Sequence, residues 1–150
     1  MVRYVRAVAG ADVAEDVASQ VWVEVVARAA EFQGDEEALR RLVFATARRR
    51  ALDQHRRWWR RKVSLHPPGE RVLERAASED PAVGERDRAL AWIARLPRAQ
   101  AEVVLLRVLG DFSTEEVAEM TRRSPGAVRV LQHRGLRRLA ADLRRRRGEV

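Results

Sequence analysis

Residues 113–139 contain two helix-start signals in close succession, and this pair constrains the fold more than any other feature of the sequence. Ser113 can cap a first helix, and Glu116 completes a capping box with it. Ser124 can cap a second helix, and Pro125 then occupies the first helical position, where proline is tolerated. A short capped helix, a tight turn and a longer basic helix match a helix-turn-helix. An ordinary helical hairpin with a solvated charged face is the alternative, because this motif is degenerate.

The second of these helices is predicted to have two different faces, because successive helical residues are rotated by about 100°. The inward side comprises Val128, Leu131, Gly135, Leu136, Leu139 and Leu143. The outward side comprises Gly126, Arg129, Val130, His133, Arg134 and Arg137. A basic face with small and polar members is what a helix in the major groove presents. The run from Arg144 to Arg147 is predicted to be a frayed basic tail.

Apolar periodicity predicts further helices in the C-terminal half of the chain. Leu90, Ile93 and Leu96 recur at a spacing of three residues. Pro97 is expected at the first position of the next helix, and Gly110 is a suitable residue at its C-terminal end. The apolar residues predicted to lie between them in that helix are Val103, Val104, Leu106, Val108 and Leu109.

The N-terminal part also has a helical pattern. Residues 1–11 resemble the end of a helix, and Asp12 can cap the next helix with Glu15 as its partner. Phe32 is expected to end that second helix. In the first segment Tyr4, Val5 and Val8 share a face, and the apolar stripe of the second comprises Val13, Val17, Val21, Trp22, Val25 and Val26.

Asp35 can cap a third helix, which is predicted to run to about Lys62. Its buried side is assigned to Leu39, Leu42, Val43, Thr46, Ala47, Arg50 and Leu52. Beyond Leu52 the apolar side disappears, and Trp58 and Trp59 stand among cationic residues. Rings that stack on bases beside cations that hold phosphates are typical of surfaces for single-stranded nucleic acid. The alternative is that one indole covers the edge of the core and the other lies on an arginine stem.

Positive charge is concentrated in two blocks of the sequence. The chain carries a net charge of +8, yet residues 40–62 contain ten basic residues and one acid, as do residues 122–147. Nearly all of these basic residues are arginines, whose planar forks suit phosphates and guanine edges. Two separate blocks indicate two contacts with one polyanion. Between them, residues 63–84 contain Pro67-Pro68-Gly69 and are predicted to be a linker with at most a short helix around residues 70–77.

Several classes of protein are disfavoured. The chain has no cysteine, which excludes disulfides and thiolate chemistry and is typical of a reducing cytosol. No signal peptide or apolar run long enough to span a bilayer is present. His55, His66 and His133 lie in three different segments without partners at catalytic or metal-ligand spacing. We therefore predict no enzymatic activity, no catalytic or metal-binding residues, no cofactor and no membrane insertion.

The order of these segments resembles the extracytoplasmic-function (ECF) group of bacterial sigma factors, within the sigma-70 family. AEDVASQVWVEVVARAAEF at residues 14–32 is similar to the helix of the second conserved region that docks on the polymerase clamp. LVFATARRRALDQHRR at residues 42–57 is similar to the helix that binds and helps to melt the minus-ten element. LPRAQAEVVLLRVLGDFSTEEVAEM and SPGAVRVLQHRGLRRL are similar to the fourth region, whose recognition helix reads the minus-thirty-five element.

The resemblance implies a role for individual residues. Candidate contacts with core polymerase are Asp16, Gln20 and Glu24. Candidates for the minus-ten strand are Arg48, Arg49, His55, Arg57, Trp58 and Trp59. Candidates for the minus-thirty-five duplex are Ser124, Pro125, Gly126, Arg129, Val130, His133 and Arg134. The implied partners are promoter DNA and RNA polymerase core, through the clamp of the beta-prime subunit and the flap of the beta subunit, with an anti-sigma factor as a further candidate.

Four features depart from the family pattern. The segment before Asp12 is short, and Arg49 stands where the family often has Asn. Arg122 replaces the glycine that is usual in the turn, so a positive φ there would be strained. Leu131-Gln132 stands where Arg-Leu is frequent, which removes one contact expected with DNA.

The fold class predicted from these observations is all-α. A sigma region-2-like domain (residues 1–62) and a sigma region-4-like helix-turn-helix domain of the winged-helix-like DNA-binding type (residues 85–147) are joined by a flexible linker. The predicted function is that of a cytoplasmic, nucleoid-associated bacterial sigma factor that directs core polymerase to promoters and assists DNA melting. A helix-turn-helix regulator that binds duplex operators without polymerase is the first alternative. A basic architectural protein is the second.

Overall fold

The computed structural model describes residues 1–62, 84–146 and 148, with the side chains of residues 58–62 excepted. All regular structure in these ranges is α-helical, in agreement with the predicted fold class. The chain divides into two compact units, Met1–Gly69 and Glu70–Val150, and this division falls within the predicted linker. The predicted short helix around residues 70–77 lies outside the described residues.

The first unit packs three helices against one another: α1 (Val2–Ala9), α2 (Ala11–Ala27) and α3 (Glu36–Lys62). Tyr4 is fully buried, and its ring meets the ring of Phe44 edge-on at a centroid distance of 5.7 Å. This aromatic pair links α1 to α3. Val17, Val21 and Val25 of α2 are buried, as the helical spacing predicted. The predicted shared face of Tyr4, Val5 and Val8 is likewise confirmed.

Two predictions about α2 are wrong at its ends. Gly10, and not Asp12, precedes the helix, and it adopts a φ of 99° that favours glycine. The tight link between α1 and α2 therefore depends on backbone geometry and not on a capping box. The helix ends at Ala27 and is followed by turns through residues 28–31, so Phe32 lies beyond it. The apolar stripe was also too wide, since Trp22 and Val26 are 50% and 66% exposed.

The predicted start of α3 is confirmed, and the helix continues to Lys62, the last described residue of this unit. The Oδ1 atom of Asp35 accepts a hydrogen bond of 2.8 Å from the backbone N–H of Ala38, as expected of a helix cap. Val43, Thr46 and Ala47 are buried as predicted. Leu39 is wrongly assigned to the buried side, because it is 40% exposed. Of the other residues assigned there, Leu42, Arg50 and Leu52 are half-buried, whereas Phe44 and Ala51 add buried surface that was not predicted.

The second unit contains α4 (Glu85–Ile93), α5 (Arg98–Leu109), α6 (Thr114–Thr121) and α7 (Pro125–Arg146). Helix α5 is its centre, because every residue from Gln100 to Leu106 is buried and α5 contacts α4, α6 and α7. Leu90, Ile93 and Leu96, the residues whose spacing predicted a helix here, are all buried. Pro97 lies one position before α5 and not within it, and Val108, one of the apolar residues predicted for this helix, is 58% exposed.

Helix α7 approaches α5 closely at Gly135. A Cβ atom at this position would lie 3.1 Å from Cγ2 of Val104 and 3.3 Å from Cδ1 of Leu96. The buried positions of Val128 and Gly135 confirm part of the predicted inward side, whereas Leu136 and Leu143 are 48% and 46% exposed. The absence of a side chain at Gly135 thus lets the middle of α7 pack directly on the side chains of Val104 and Leu96.

The C-terminal part of α7 differs from its prediction. It is helical to Arg146 and not frayed after Leu143. The guanidinium carbon of Arg146 lies 4.3 Å from the centre of the Trp92 ring on α4, and Arg145 forms an ion pair with Asp142. The contact between Arg146 and Trp92 holds the last helical turn against α4.

The predicted connection between α6 and α7 is confirmed in detail. The backbone N–H of Glu116 donates to Oγ of Ser113 at 3.1 Å, and the N–H of Ser113 donates to Oε2 of Glu116 at 2.8 Å. Oγ of Ser124 accepts from the N–H of Ala127 at 3.1 Å, with Pro125 at the first helical position. This is the capping pattern of two consecutive helices in a helix-turn-helix.

The turn itself contains a residue in the left-handed region. Arg122 has φ 54° and ψ 45°, and the backbone N–H of the next residue, Arg123, donates to the carbonyl of Ala118 at 2.9 Å. This conformation satisfies the last carbonyls of α6 but crowds the Cβ atom of any residue other than glycine. The positive φ expected at Arg122 is therefore present.

We predict that Arg122→Gly raises the free energy of unfolding by about 0.5–1 kcal/mol, because glycine relieves the left-handed strain at a smaller cost in unfolded-state entropy. Chemical denaturation of the parent and the variant measures this difference. Arg123→Gly is the matched control at a neighbouring position without a positive φ, and there the same substitution should lower stability. Equal destabilisation by both substitutions would show that the turn is not strained.

Candidate nucleic-acid interface

The outward face of α7 is open to solvent along its first half. Gly126, Arg129, Val130, His133 and Arg134 are all exposed, as predicted from their spacing. On an ideal helix these residues span about 12 Å along the axis, which is close to the width of the major groove of B-DNA. Val128, between them, is fully buried and fixes the rotation of the helix on the core.

The start of α7 presents its backbone and small side chains. Ser124, Pro125 and Gly126 are exposed, and a Cβ atom at Gly126 would meet only Oγ of Ser124, at 4.0 Å. The hydroxyl of Ser124 already accepts the cap hydrogen bond, but its own proton is available to an acceptor. Pro125 has no N–H, and the N–H groups of Ala127 and Val128 donate to Ser124. The N–H of Gly126 and the hydroxyl of Ser124 are therefore the donors that this helix N-terminus can offer a phosphate.

Arg129 is held by an exposed ion pair across the motif. Its Nη2 atom lies 3.3 Å from Oε1 of Glu115 on α6, and the two side chains are 65% and 66% exposed. Exposed pairs of this kind contribute little to stability, so Arg129 can exchange Glu115 for another acceptor at little cost. The sequence did not predict this pair, because the two residues belong to different helices.

The candidate residues on α3 do not share a single face. Arg48 and His55 are separated by two helical turns, point in nearly the same direction and are half-buried. Arg49 and Arg57 are exposed on a different side. The backbone of Trp58 and Trp59 is helical, and their side chains lie outside the described residues. The structure therefore places basic residues around α3 without describing the two indole rings.

Glu24 joins α2 to the basic part of α3. Its Oε2 atom accepts hydrogen bonds from Nε and Nη2 of Arg50 at 3.2 and 3.0 Å, and its Oε1 atom accepts one from Nη2 of Arg49. Nη2 of Arg28 lies 3.2 Å from the same Oε1 atom. Two residues assigned to different partners from the sequence, Glu24 and Arg49, are thus direct neighbours.

These contacts change the acidity of Glu24. The hydrogen bond from Arg49 lowers the pKa of Glu24 below its ordinary value of 4.5; burial opposes this shift, and the bond from Arg50 supports it. The carboxylate is therefore ionised throughout the neutral range. Its side chain is 14% exposed, whereas those of Arg49 and Arg28 are 53% and 54% exposed.

The exposed side of α2 carries both polar and apolar residues. Asp16 and Gln20 are exposed, as expected for residues that meet a partner. Trp22, Val23 and Val26, 50%, 71% and 66% exposed, form an apolar strip on the same helix. The sequence pattern missed this strip, because Trp22 and Val26 satisfy a helical spacing and were included in one apolar stripe with the valines that are buried. An exposed strip of large apolar residues is typical of a protein-binding surface.

Two other kinds of site have no support in the part of the chain that the structure describes. Across residues 1–62 and 84–146, no group of three or more His, Asp or Glu side chains could hold a metal ion. In the same ranges no helix combines the length and the apolar character needed to cross a membrane. The arrangement that remains is a set of arginine-rich surfaces on two helical units.

Comparison with known proteins gives the family. The model of sigma-70, region 4 matches residues 86–139, which include the whole helix-turn-helix. The ECF RNA polymerase sigma factor ShbA of Streptomyces griseus subsp. griseus is 36% identical over 136 residues, covering 85% of this chain and 70% of that protein. The chain belongs to the ECF sigma factors. No solved structure gives a significant match to it.

Other ECF sigma factors match the chain with comparable sequence identity. SigD of Mycobacterium tuberculosis is 31% identical over 137 residues, covering 87% of this sigma factor and 63% of the relative. The RNA polymerase sigma-E factor of Streptomyces antibioticus is 37% identical over 109 residues, covering 71% and 60% respectively. The chain thus spans 60–70% of the length of these relatives.

The acidity of Glu24 leads to a prediction about stability. Because its pKa is lowered in the folded state, Glu24 stabilises the fold at pH values above 4.5, and this contribution is lost as the pH falls through the lower folded value. We expect Glu24→Gln to reduce the free energy of unfolding at pH 7 by about 1 kcal/mol, since the arginines are half exposed and water screens the pairs.

Denaturant titrations at pH 7 and at successively lower pH measure this effect. The difference between the parent and Glu24→Gln should shrink as the solution is acidified. Glu15→Gln is the control, since Glu15 pairs with Arg6 at 3.6 Å and its side chain is 76% exposed, so it should show little difference at any pH. A difference for Glu24→Gln that does not depend on pH would contradict the assignment.

Proposed function

We propose that this sigma factor directs bacterial RNA polymerase core to a two-part promoter and assists the opening of its DNA. The observation that carries the proposal is the solvent-exposed basic face of α7, which lies within the part of the chain that matches sigma-70 region 4. The protein would act in the cytoplasm, at the nucleoid, where promoter DNA lies. It would have no catalytic activity of its own, because the polymerase performs the chemistry.

In this proposal the second unit binds the minus-thirty-five element as intact duplex. The first half of α7 enters the major groove, where Arg129, His133 and Arg134 face base edges and phosphates. Ser124, Pro125 and Gly126 approach a phosphate with the helix N-terminus. Val130, which is 47% exposed, supplies an apolar contact of the kind that a thymine methyl group accepts.

The first unit would bind the minus-ten element as a separated strand. Arg48, Arg49, His55 and Arg57 would hold the sugar-phosphate backbone, while Trp58 and Trp59 would stack on bases. The support for this assignment is the density of arginine along α3, because guanidinium forks match phosphate geometry. Strand opening follows if the unit binds unstacked bases more strongly than paired ones.

Core polymerase would meet α2. Asp16 and Gln20 are exposed beside the apolar strip of Trp22, Val23 and Val26, and polar groups around an apolar centre are the usual anatomy of a protein interface. We assign this surface to the clamp of the beta-prime subunit and a surface of the second unit to the flap of the beta subunit. An anti-sigma factor would compete for the same surfaces.

Run-off transcription with purified core polymerase tests the proposal. The protein should give promoter-directed transcripts from a broad promoter library, and core alone should not. A regulator that acts without replacing sigma would instead bind an operator tightly as a free protein and yield no such transcript. A basic architectural protein would bind DNA with little sequence preference. Either of these two results would contradict the sigma function.

We predict that Arg129→Ala weakens discrimination within the minus-thirty-five element by about 1–3 kcal/mol if its fork reads a base. Competition binding of holoenzyme to promoters that differ at single positions of this element measures the change. Arg138→Ala is the matched control, because Arg138 is exposed on the opposite side of α7. An equal loss on every sequence would make Arg129 a phosphate contact and not a base reader.

We also predict that the double variant Trp58→Ala with Trp59→Ala impairs open-complex formation on duplex promoters more than on pre-melted ones. The reason is that stacking of about 1–3 kcal/mol per base compensates for unpairing only when the strands must be separated. Run-off transcription from both templates measures the difference, and permanganate footprinting on the duplex template reports the opened bases. Equal impairment on the two templates would exclude a role for these rings in melting.

A further inference from the structure

Glu24 gathers three guanidinium groups around one carboxylate. Arg28 comes from the end of α2, and Arg49 and Arg50 are consecutive residues of α3. We call this set the Glu24 cluster. Arg50 binds through two nitrogens, Nε at 3.2 Å and Nη2 at 3.0 Å, which fixes the plane of its fork. The cluster therefore determines the orientation of guanidinium groups on α3, the helix with the densest arginine in its unit.

Burial within the Glu24 cluster is uneven. The Glu24 side chain is 14% exposed, whereas those of Arg49 and Arg50 are 53% and 38% exposed. A guanidinium carries five N–H donors, and Glu24 occupies only one from Arg49 and two from Arg50. With one negative and three positive charges, the cluster has a surplus of two positive charges, and its exposed groups are the cationic ones. The cluster is thus a partly exposed cationic surface around one largely enclosed carboxylate.

The role implied for Glu24 differs from a contact with polymerase. Three hydrogen bonds, one from Arg49 and two from Arg50, already engage its two oxygens, and Arg28 adds an ion-pair contact at 3.2 Å. A carboxylate in this state has little capacity left for a partner protein, whereas Asp16 and Gln20 on the same helix remain exposed. Glu24 is thus directed inward, towards α3.

We propose that Glu24 is a positioning residue for the promoter strand, holding the forks of Arg49 and Arg50 in one orientation so that their outward N–H groups meet a backbone phosphate. This inference rests on the proposed function of the first unit. An arginine that is already ordered loses less conformational freedom when it binds a phosphate, so orientation adds affinity. It also gives Arg49, which stands where Asn is frequent in the family, a defined structural partner.

The direction in which Glu24→Gln changes the affinity for the DNA strand distinguishes a positioning role from a purely electrostatic one. Glu24→Gln removes a negative charge beside the predicted strand and would strengthen binding if electrostatic attraction alone mattered. If Glu24 positions the forks, the same substitution weakens binding despite the more positive surface. The expected loss is about tenfold in affinity for a single-stranded oligonucleotide with the minus-ten sequence, the scale of one charge-assisted hydrogen bond.

The experiment uses holoenzyme assembled from core polymerase and each variant. It measures the affinity of core for the sigma factor, the affinity of holoenzyme for the oligonucleotide, and the salt dependence of the latter. Glu24→Gln should leave the affinity for core unchanged and weaken oligonucleotide binding. It should also make the negative slope of log K against log salt concentration shallower, where K is the association constant for the oligonucleotide. The expected change is about 0.7 for each phosphate that the arginines no longer neutralise. Glu15→Gln, the matched acid-to-amide change on α2, should equal the parent in all three measurements.

A double-mutant cycle with Arg49→Ala tests whether Glu24 acts through Arg49. If it does, Glu24→Gln should cost much less in an Arg49→Ala background than in the parent. Additive losses, unchanged or tighter oligonucleotide binding, or a loss of core affinity would each overturn the inference. A purely structural role would lower thermal stability without the change in salt slope or the non-additivity.

Arg49→Lys decides the question if Glu24→Gln does not fold. Lysine retains the charge and an ion pair with Glu24 but lacks the planar fork. Positioning predicts weaker oligonucleotide binding at unchanged affinity for core, and equal binding would overturn it. If the parent holoenzyme yields promoter-directed transcripts and these variants bind the oligonucleotide as well as the parent does, only this inference is contradicted. A parent that yields none contradicts the proposed sigma function itself.

Discussion

Burial of α5 is the constraint on which the geometry of the second unit depends. Every residue from Gln100 to Leu106 is removed from solvent, so α5 can receive neighbours on several sides. Helix α7 rests on it at Gly135, and Val128 fixes the rotation of α7 about its own axis. The direction in which Arg129 and Arg134 point is therefore a result of packing in the core. In the proposed function this face reads DNA, and such a face needs a rigid support to keep its side chains in register with bases.

The sequence predicted the features that depend on near neighbours. The caps at Asp35, Ser113 and Ser124 were predicted correctly, because each joins a side chain to a backbone group three residues away. The outward face of α7 followed from helical periodicity in the same way. The positive φ at Arg122 was expected from the family resemblance, because glycine is usual at this place in the turn.

Features that depend on tertiary packing could not be predicted in this way. The spacing of apolar residues on α2 does not reveal that Trp22 and Val26 are exposed, because both satisfy a helical period. The contact between Glu24 and Arg49 joins residues 25 positions apart and depends on how two helices cross. Asp12 is a residue type that often caps helices, but α2 begins directly after Gly10, whose backbone has a positive φ of 99°.

The close approach at Gly135 has a consequence for engineering new promoter specificity. Gly135 and Val128 are buried in the interior of the unit, whereas Gly126, Arg129 and His133 lie on its surface. Transplanting a whole recognition helix from another sigma factor would therefore replace core residues together with surface ones. A graft restricted to the outward positions leaves the packing of α7 on the core unchanged. The residues of this face can therefore be exchanged without altering the interior of the unit.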